Sequence, residues 1–462
     1  MRETQASRTP NWGEETRATF KLAWPLALAN LLQMLTYAID VIFIARLGEQ
    51  PLAASQLVMS VFGLLVWALA SMTAAVAPVV SAELGANPNA VRPVRRAVRM
   101  ALWLAVISAA AAMGIAFLTI PLMHITGQDP TLVPLALPYL TMIVFSLIPM
   151  IVANVLRTFV SALGRPIFAT AITAVGIGVN AAGNYALIFG NWGMPRLELV
   201  GAGIATIITT CITMLIYIVA IRFDKKLHRY RIFGRWWRPD WERFWQIVKI
   251  GAPISLTVIA EAGIFAAAAF LMGKFGASQL AGHTIALQLA ALAFQIPFGV
   301  GQAVTIRVGY FYGARDLIGI KRAGWVAMTM GTGFMAMTAL AMVVIPQMLI
   351  SIYVDVNAPK NAAMVGFALQ YLVWAAAFQL VDGVQAVAAG ALRGLQDTRM
   401  PMWIAIFSYW VPGIGVAVVL GFLTPLAGIG VWIGLATGLF FAAFLLSWRW
   451  LLREKLGLTA RA

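Results

Sequence analysis

Twelve apolar runs, each at least as long as the roughly 20 residues that cross a bilayer, follow one another along a chain of 462 residues. They lie near 20–45, 52–80, 98–120, 132–156, 166–189, 199–221, 246–272, 279–305, 322–346, 361–392, 401–422 and 427–448. Turn residues separate many of them, as at Gly48–Pro51, Gly85–Pro93, Gly127–Pro130, Gly164–Pro166, Gly190–Pro195 and Gly276–Gln279. Hydrophobic residues make up 61% of the chain and charged ones 11%, where a soluble domain carries about 25% charged residues. A soluble globular enzyme is excluded. The expected fold class is an all-α integral membrane protein with twelve transmembrane helices.

A formal charge of +16 in a soluble chain points to nucleic acid, but membrane proteins gather Lys and Arg in cytoplasmic loops. With the N-terminus cytoplasmic, all 33 basic residues except Arg46, Arg196, Lys274 and Lys360 fall in inside segments. Rich and poor loops alternate along the whole chain, so span number and topology support each other. Both termini are expected to face the cytoplasm. No nucleic-acid partner is expected. The first twenty residues lack an apolar core, so no cleaved signal peptide is expected and the first span itself directs insertion. The single cysteine, Cys211, rules out an internal disulfide.

The chain resembles itself at an offset of 228 positions. Lys21 falls on Lys249, Pro25 on Pro253, Gly48 on Gly276 and Gly85 on Gly313, all without a gap. Apolar matches prove little in such a sequence, whereas paired Pro and Gly bracketed by basic residues are harder to produce by chance. Two related six-helix halves that both start inside are parallel repeats, related by an axis along the membrane normal. The expected domains are 1–221, a cytoplasmic linker 222–249, and 250–462. Trp237, Trp241, Phe244, Trp245 and Val248, at helical spacing, predict an interfacial amphipathic helix at the end of that linker.

Charge deep in a span costs roughly 2.5–3.5 kcal/mol on the insertion scale, and three acids stand there: Asp40, Glu261 and Asp382. No basic residue is expected deep in a span, so none of the three has an evident Lys or Arg partner. Glu261 follows Lys249 by 12 residues and Asp382 precedes Arg393 by 11. At 1.5 Å per residue both lie roughly 17 Å from the cytoplasmic face, near the midplane, and are placed to converge. Asp40 stands about 28 Å up by the same rise, level with Asn184. Asn180 lies one turn below Asn184 on the same helix face, so these three predict a second polar cluster. Asp355, Glu83 and Asp397 read as loop residues, and the three histidines are too scattered for a metal site. Packing alone is the competing explanation for each intramembrane polar group, most seriously for Asn180 and Asn184. Carboxylates without counter-charge can instead hold a proton or a cationic ligand and exchange one for the other. Two parallel bundles rocking about a midplane site would couple that exchange to transport.

These segments resemble the multidrug and toxic compound extrusion (MATE) transporters, NorM-type branch. The likeness is carried by Pro25…Gln33…Asp40…Gly48, by GASQLAGHTIALQ after Glu261, and by FYGA at Phe311–Ala314. It continues in Arg157 with LGRP at Leu163–Pro166, VNAAGN at Val179–Asn184, GAGIAT at Gly201–Thr206, and VDGVQAVAAGALRGLQDTRMP at Val381–Pro401. The resemblance implies a V-shaped pair of lobes that exports cationic, partly hydrophobic drugs by H⁺ or Na⁺ antiport. It implies cation coupling, including a Na⁺ site, at Glu261 and Asp382, and a first-lobe site of Asp40, Asn180, Asn184 and Thr206. No cofactor beyond the coupling ion is implied, and the transporter is expected to act as a monomer in the lipid bilayer on small organic cations. Phe378, a candidate cavity aromatic, stands where sodium-linked relatives carry Tyr; loss of that hydroxyl tilts the expectation toward protons. The rival readings are a lipid-linked oligosaccharide flippase, whose anionic cargo calls for cavity Lys or Arg, and a membrane-embedded enzyme, for which no nucleophile–base or metal constellation is present.

Overall fold

The computed structural model describes residues 9–460. All regular structure among them is helical, and twelve helices are long and apolar enough to cross a membrane. The first six are α1 Trp12–Ala45, α2 Glu49–Ala86, α3 Val91–Ile125, α4 Pro130–Ala162, α5 Ile167–Phe189 and α6 Glu198–Phe223. The second six are α7 Trp241–Gly273, α8 Ala277–Ala314, α9 Leu317–Val344, α10 Pro359–Gly394, α11 Arg399–Phe422 and α12 Gly428–Leu451. Each coincides with one of the twelve apolar runs. Helix α11 carries a π-helical turn at Tyr409–Gly413 around Pro412, where the missing N–H and ring bulk of proline break the regular ladder.

The linker departs from expectation. Lys225–His228 forms one short helix, capped by the Asp224 carboxylate, which accepts from the N–H groups of Lys226 and Leu227. Residues 229–240 contain no helix. Pro239 disfavours helical backbone at the residue before it, and Asp240 then accepts from the Arg243 N–H at 3.3 Å to open α7. From Trp241 the helix runs to Gly273. The amphipathic pattern is therefore the first turns of a transmembrane helix, not a separate interfacial one. Trp241 and Trp245 are exposed on one side, while Phe244 and Ile247 are buried on the other.

Packing divides the chain into two compact units, Leu28–Ser255 and Met1–Ala27 with Leu256–Ala462. The first is cored by residues such as Val80, Leu140, Ile151 and Phe159, the second by Leu372, Tyr371, Tyr409 and Trp432. The boundaries after Ala27 and Ser255 are separated by the same 228 positions as the sequence repeat. Each falls inside a continuous helix, two residues beyond Pro25 of α1 and Pro253 of α7. The N-terminal half of α1 therefore packs with α8, where a Cβ on Gly299 would come within 2.7 Å of Ala27 backbone. It is also pinned by Glu15, which accepts from Nε of Arg307 at 2.9 Å. The N-terminal half of α7 packs on α2, where a Cβ on Gly251 would meet the Met72 carbonyl oxygen at 2.2 Å. Arg243 there pairs with Glu83 at 3.0 Å. Small residues at such crossings let membrane helices approach backbone to backbone.

Candidate functional site

In the unit Leu28–Ser255, the Asp40 carboxylate on α1 meets two amides of α5. Asn180 Nδ2 donates to Asp40 Oδ1 at 3.0 Å and Asn184 Nδ2 donates to the same oxygen at 2.6 Å. Both asparagines are buried, and their spacing of four stacks them, with Asn184 Nδ2 also 3.2 Å from Asn180 Oδ1. Asn184 Oδ1 is buried and accepts no hydrogen bond. Glycines bring the neighbouring helix in: a Cβ on Gly183 would lie 3.1 Å from Ala205, and one on Gly201 would lie 2.4 Å from the Leu187 carbonyl oxygen. Thr206 does not join the cluster by a hydrogen bond, because its hydroxyl donates to the Ala202 carbonyl at 3.0 Å. Sequence reasoning missed Tyr139 of α4, which is buried and within electrostatic reach of Asp40.

In the other unit, Glu261 of α7 and Asp382 of α10 lie within electrostatic reach of each other. Asp382 is 5% exposed, and its Oδ1 has no hydrogen-bond partner. Gln385, one turn along α10, donates from Nε2 to the Tyr409 hydroxyl at 2.6 Å, and that hydroxyl stands on the π-helical turn of α11. A Cβ on Gly263 would lie 2.7 Å from the Trp410 ring, so this glycine seats α11 against α7 two residues beyond Glu261. The expectation that the acids lack a basic neighbour fails here, since Arg393 acts electrostatically on Glu261. Arg393 was read as a loop residue, but α10 continues to Gly394. Two carboxylates and one guanidinium leave a net charge of −1 when all are ionised. One further positive charge, a proton or a monovalent cation, would balance that net charge.

Phe378 is not a cavity wall. Its ring is 2% exposed and packs edge-on against Phe265 at 6.1 Å and Trp432 at 5.8 Å between centroids. The remaining acids have local work. Glu83, read as a loop residue, lies in α2, while Asp397 pairs with Arg449 at 2.6 Å and Asp355 accepts from the Asn357 N–H at 3.0 Å. His283 is buried against the Trp432 ring. Arg157, also read as a loop residue, is buried within α4.

A family model described as MatE matches residues 25–186 and 253–419, two segments whose starts differ by the repeat offset. A protein of Mesorhizobium japonicum named "Probable multidrug resistance protein NorM" is 41% identical over 446 residues, covering 96% of this chain and 95% of that one. One of Brucella suis with the same name is 39% identical over 451 residues, covering 97% and 96%. Among solved structures, a Vibrio cholerae MATE transporter aligns with a TM-score of 0.87 at 17% identity, over 97% of this chain and 99% of that one. A eukaryotic MATE transporter aligns with a TM-score of 0.84 at 17% identity, over 97% and 98%. The double match to one repeat model, and relatives aligned almost end to end, mean that the chain belongs to the MatE family.

Proposed function

We propose that this chain is a multidrug efflux transporter of the bacterial cytoplasmic membrane, with both termini inside, exporting amphiphilic organic cations in exchange for H⁺ or Na⁺. The names of its relatives support multidrug efflux. The observation that carries the coupling is Asp382: a buried carboxylate with an unpartnered oxygen, beside a second carboxylate, in a site one positive charge short of neutrality. A proton or sodium ion and an organic cation satisfy that deficit equally well in charge and cannot do so together. Competition for one deficit, with access alternating between the two faces, makes ion entry drive cation exit. Asp40 with Asn180 and Asn184 offers a second site of the same kind, with Thr206 one residue beyond the α5–α6 contact at Ala205. The phenyl ring of Phe378 supplies no hydroxyl ligand for Na⁺, which favours H⁺ as the coupling ion. The transporter works as a monomer and needs no cofactor.

The test is ethidium accumulation by everted membrane vesicles energised with either a pH or a sodium gradient. Wild type accumulates dye under one of the two. Glu261→Gln and Asp382→Asn lose uphill accumulation while remaining inserted, and Asp40→Asn ranks the two clusters. Undiminished accumulation by all three variants would remove the coupling sites.

A further inference from the structure

Arg157 is a buried cation with only neutral partners. It is 7% exposed, five residues before the end of α4. Its Nη1 donates to Gln33 Oε1 at 2.9 Å and its Nη2 to Asn30 Oδ1 at 2.6 Å. None of the seven ion pairs among the described residues includes it. Tyr217 of α6, within electrostatic reach of the guanidinium, is 2% exposed, and its hydroxyl has no hydrogen-bond partner. An interhelical brace between α1 and α4 needs a polar side chain, not a charge, because a buried charge without a counter-charge is destabilising. A guanidinium carries five N–H donors, and the two amides leave some for another acceptor. An uncompensated cation and an orphaned hydroxyl at one place call for an anionic ligand group.

The approach runs along α1. Asn30, Gln33, Tyr37 and Asp40 follow at spacings of three, four and three, a single polar stripe on one face of the helix. Gln33 and Tyr37 are exposed, so the stripe is open between its ends, with an aromatic ring at its middle. Seven residues from Gln33 to Asp40 are two turns, about 10 Å of rise. A guanidinium stands at one end and a carboxyl group at the other.

We propose that Arg157, with Asn30, Gln33 and Tyr217, is an anion subsite that takes the carboxylate of zwitterionic aromatic amphiphiles whose ammonium group goes to Asp40. The subsite rests on the reading of Asp40 as a cation site and makes Arg157 a determinant of which cargo is preferred. The probes are rhodamine 110, which carries a free carboxylate, and rhodamine 123, its methyl ester. Binding of each to purified protein is measured by fluorescence anisotropy, with size-exclusion profiles confirming that every variant is folded. Arg157→Gln weakens rhodamine 110 about tenfold or more, the scale of a lost charge-assisted hydrogen bond, and changes rhodamine 123 less than twofold. Arg157→Lys restores part of the rhodamine 110 affinity. Equal loss of both dyes marks Arg157 as a brace and overturns the proposal, as does unchanged affinity for both or failure of wild type to bind rhodamine 110. Asp40→Asn separates the two readings. If it leaves rhodamine 123 binding intact, the cation site falls while the selectivity at Arg157 is still read from the dye pair.

Discussion

Glu15 and Arg307 offer a quantitative test of how the first half of α1 is held. The Glu15 carboxylate is fully buried, accepts from Arg307 Nε at 2.9 Å and Nη2 at 2.5 Å, and takes the Thr19 hydroxyl at 3.2 Å. The guanidinium in turn lies over the Phe311 ring, 4.9 Å from its centroid. Removing one partner of a buried pair leaves the other charge uncompensated, a loss of about 3–5 kcal/mol. With the Arg307 side chain 20% exposed, the lower end applies, about 3 kcal/mol for Glu15→Ala or Arg307→Ala. Replacing both, as Glu15→Leu with Arg307→Met, removes the desolvated charges together and costs far less than the two single changes combined. The assay is unfolding of purified protein in mixed micelles by titrated sodium dodecyl sulfate, followed by tryptophan fluorescence. Single variants within about 1 kcal/mol of wild type, or a double variant equal to the sum of the singles, would refute the buried-pair reasoning.

Two further predictions concern packing and pH. Gly251→Val and Gly299→Val each place a side chain where a Cβ already overlaps a neighbouring backbone, and each destabilises by about 1–3 kcal/mol in the same assay; Gly63→Ala, with nothing within 4 Å, stays near wild type. At the linker, burial pushes the Asp240 carboxyl up, but hydrogen bonds from Arg96 and the Arg243 N–H, with both guanidinium charges, outweigh it and hold the carboxyl below its usual range. A depressed carboxyl stabilises the fold fully above its unfolded value near pH 4 and loses that contribution as pH falls further. Asp240→Asn therefore makes stability less steep between about pH 4 and pH 3, and an unchanged slope in pH-dependent thermal unfolding would contradict the pairing.

The span count and the meeting of Asp40 with Asn180 and Asn184 were legible in the sequence because they follow from span length and helical rise and period, and the repeat because Pro and Gly recur at one fixed offset. What escaped depended on a single turn of helix or on partners remote in the chain. Arg157 was read as a loop residue because the apolar run stops at 156, yet α4 continues to Ala162; apolarity marks where lipid ends, not where a helix does. Arg393 escaped in the same way, and with it the local counter-charge for Glu261. The aromatic periodicity after Trp237 is shared by an interfacial helix and by the extension of a transmembrane one, and only Pro239 and Asp240 distinguish them. Phe378 shows the same limit for packing: an apolar ring in an apolar run carries no mark of whether it faces a cavity or a core.

The exchange of half-helices at Ala27 and Ser255 bears on how the chain matures in the membrane. The opening turns of α1 emerge from the ribosome first, yet their packing partner at Gly299 is made more than 250 residues later. Until then that segment has only lipid and the insertion machinery for company, and closing so long a loop is entropically slow. By the same geometry, a fragment ending at the linker leaves the front of α1 without its neighbour, and a fragment beginning at Leu256 lacks residues that its own core expects. Severed halves should therefore complement each other when produced together and aggregate when produced apart.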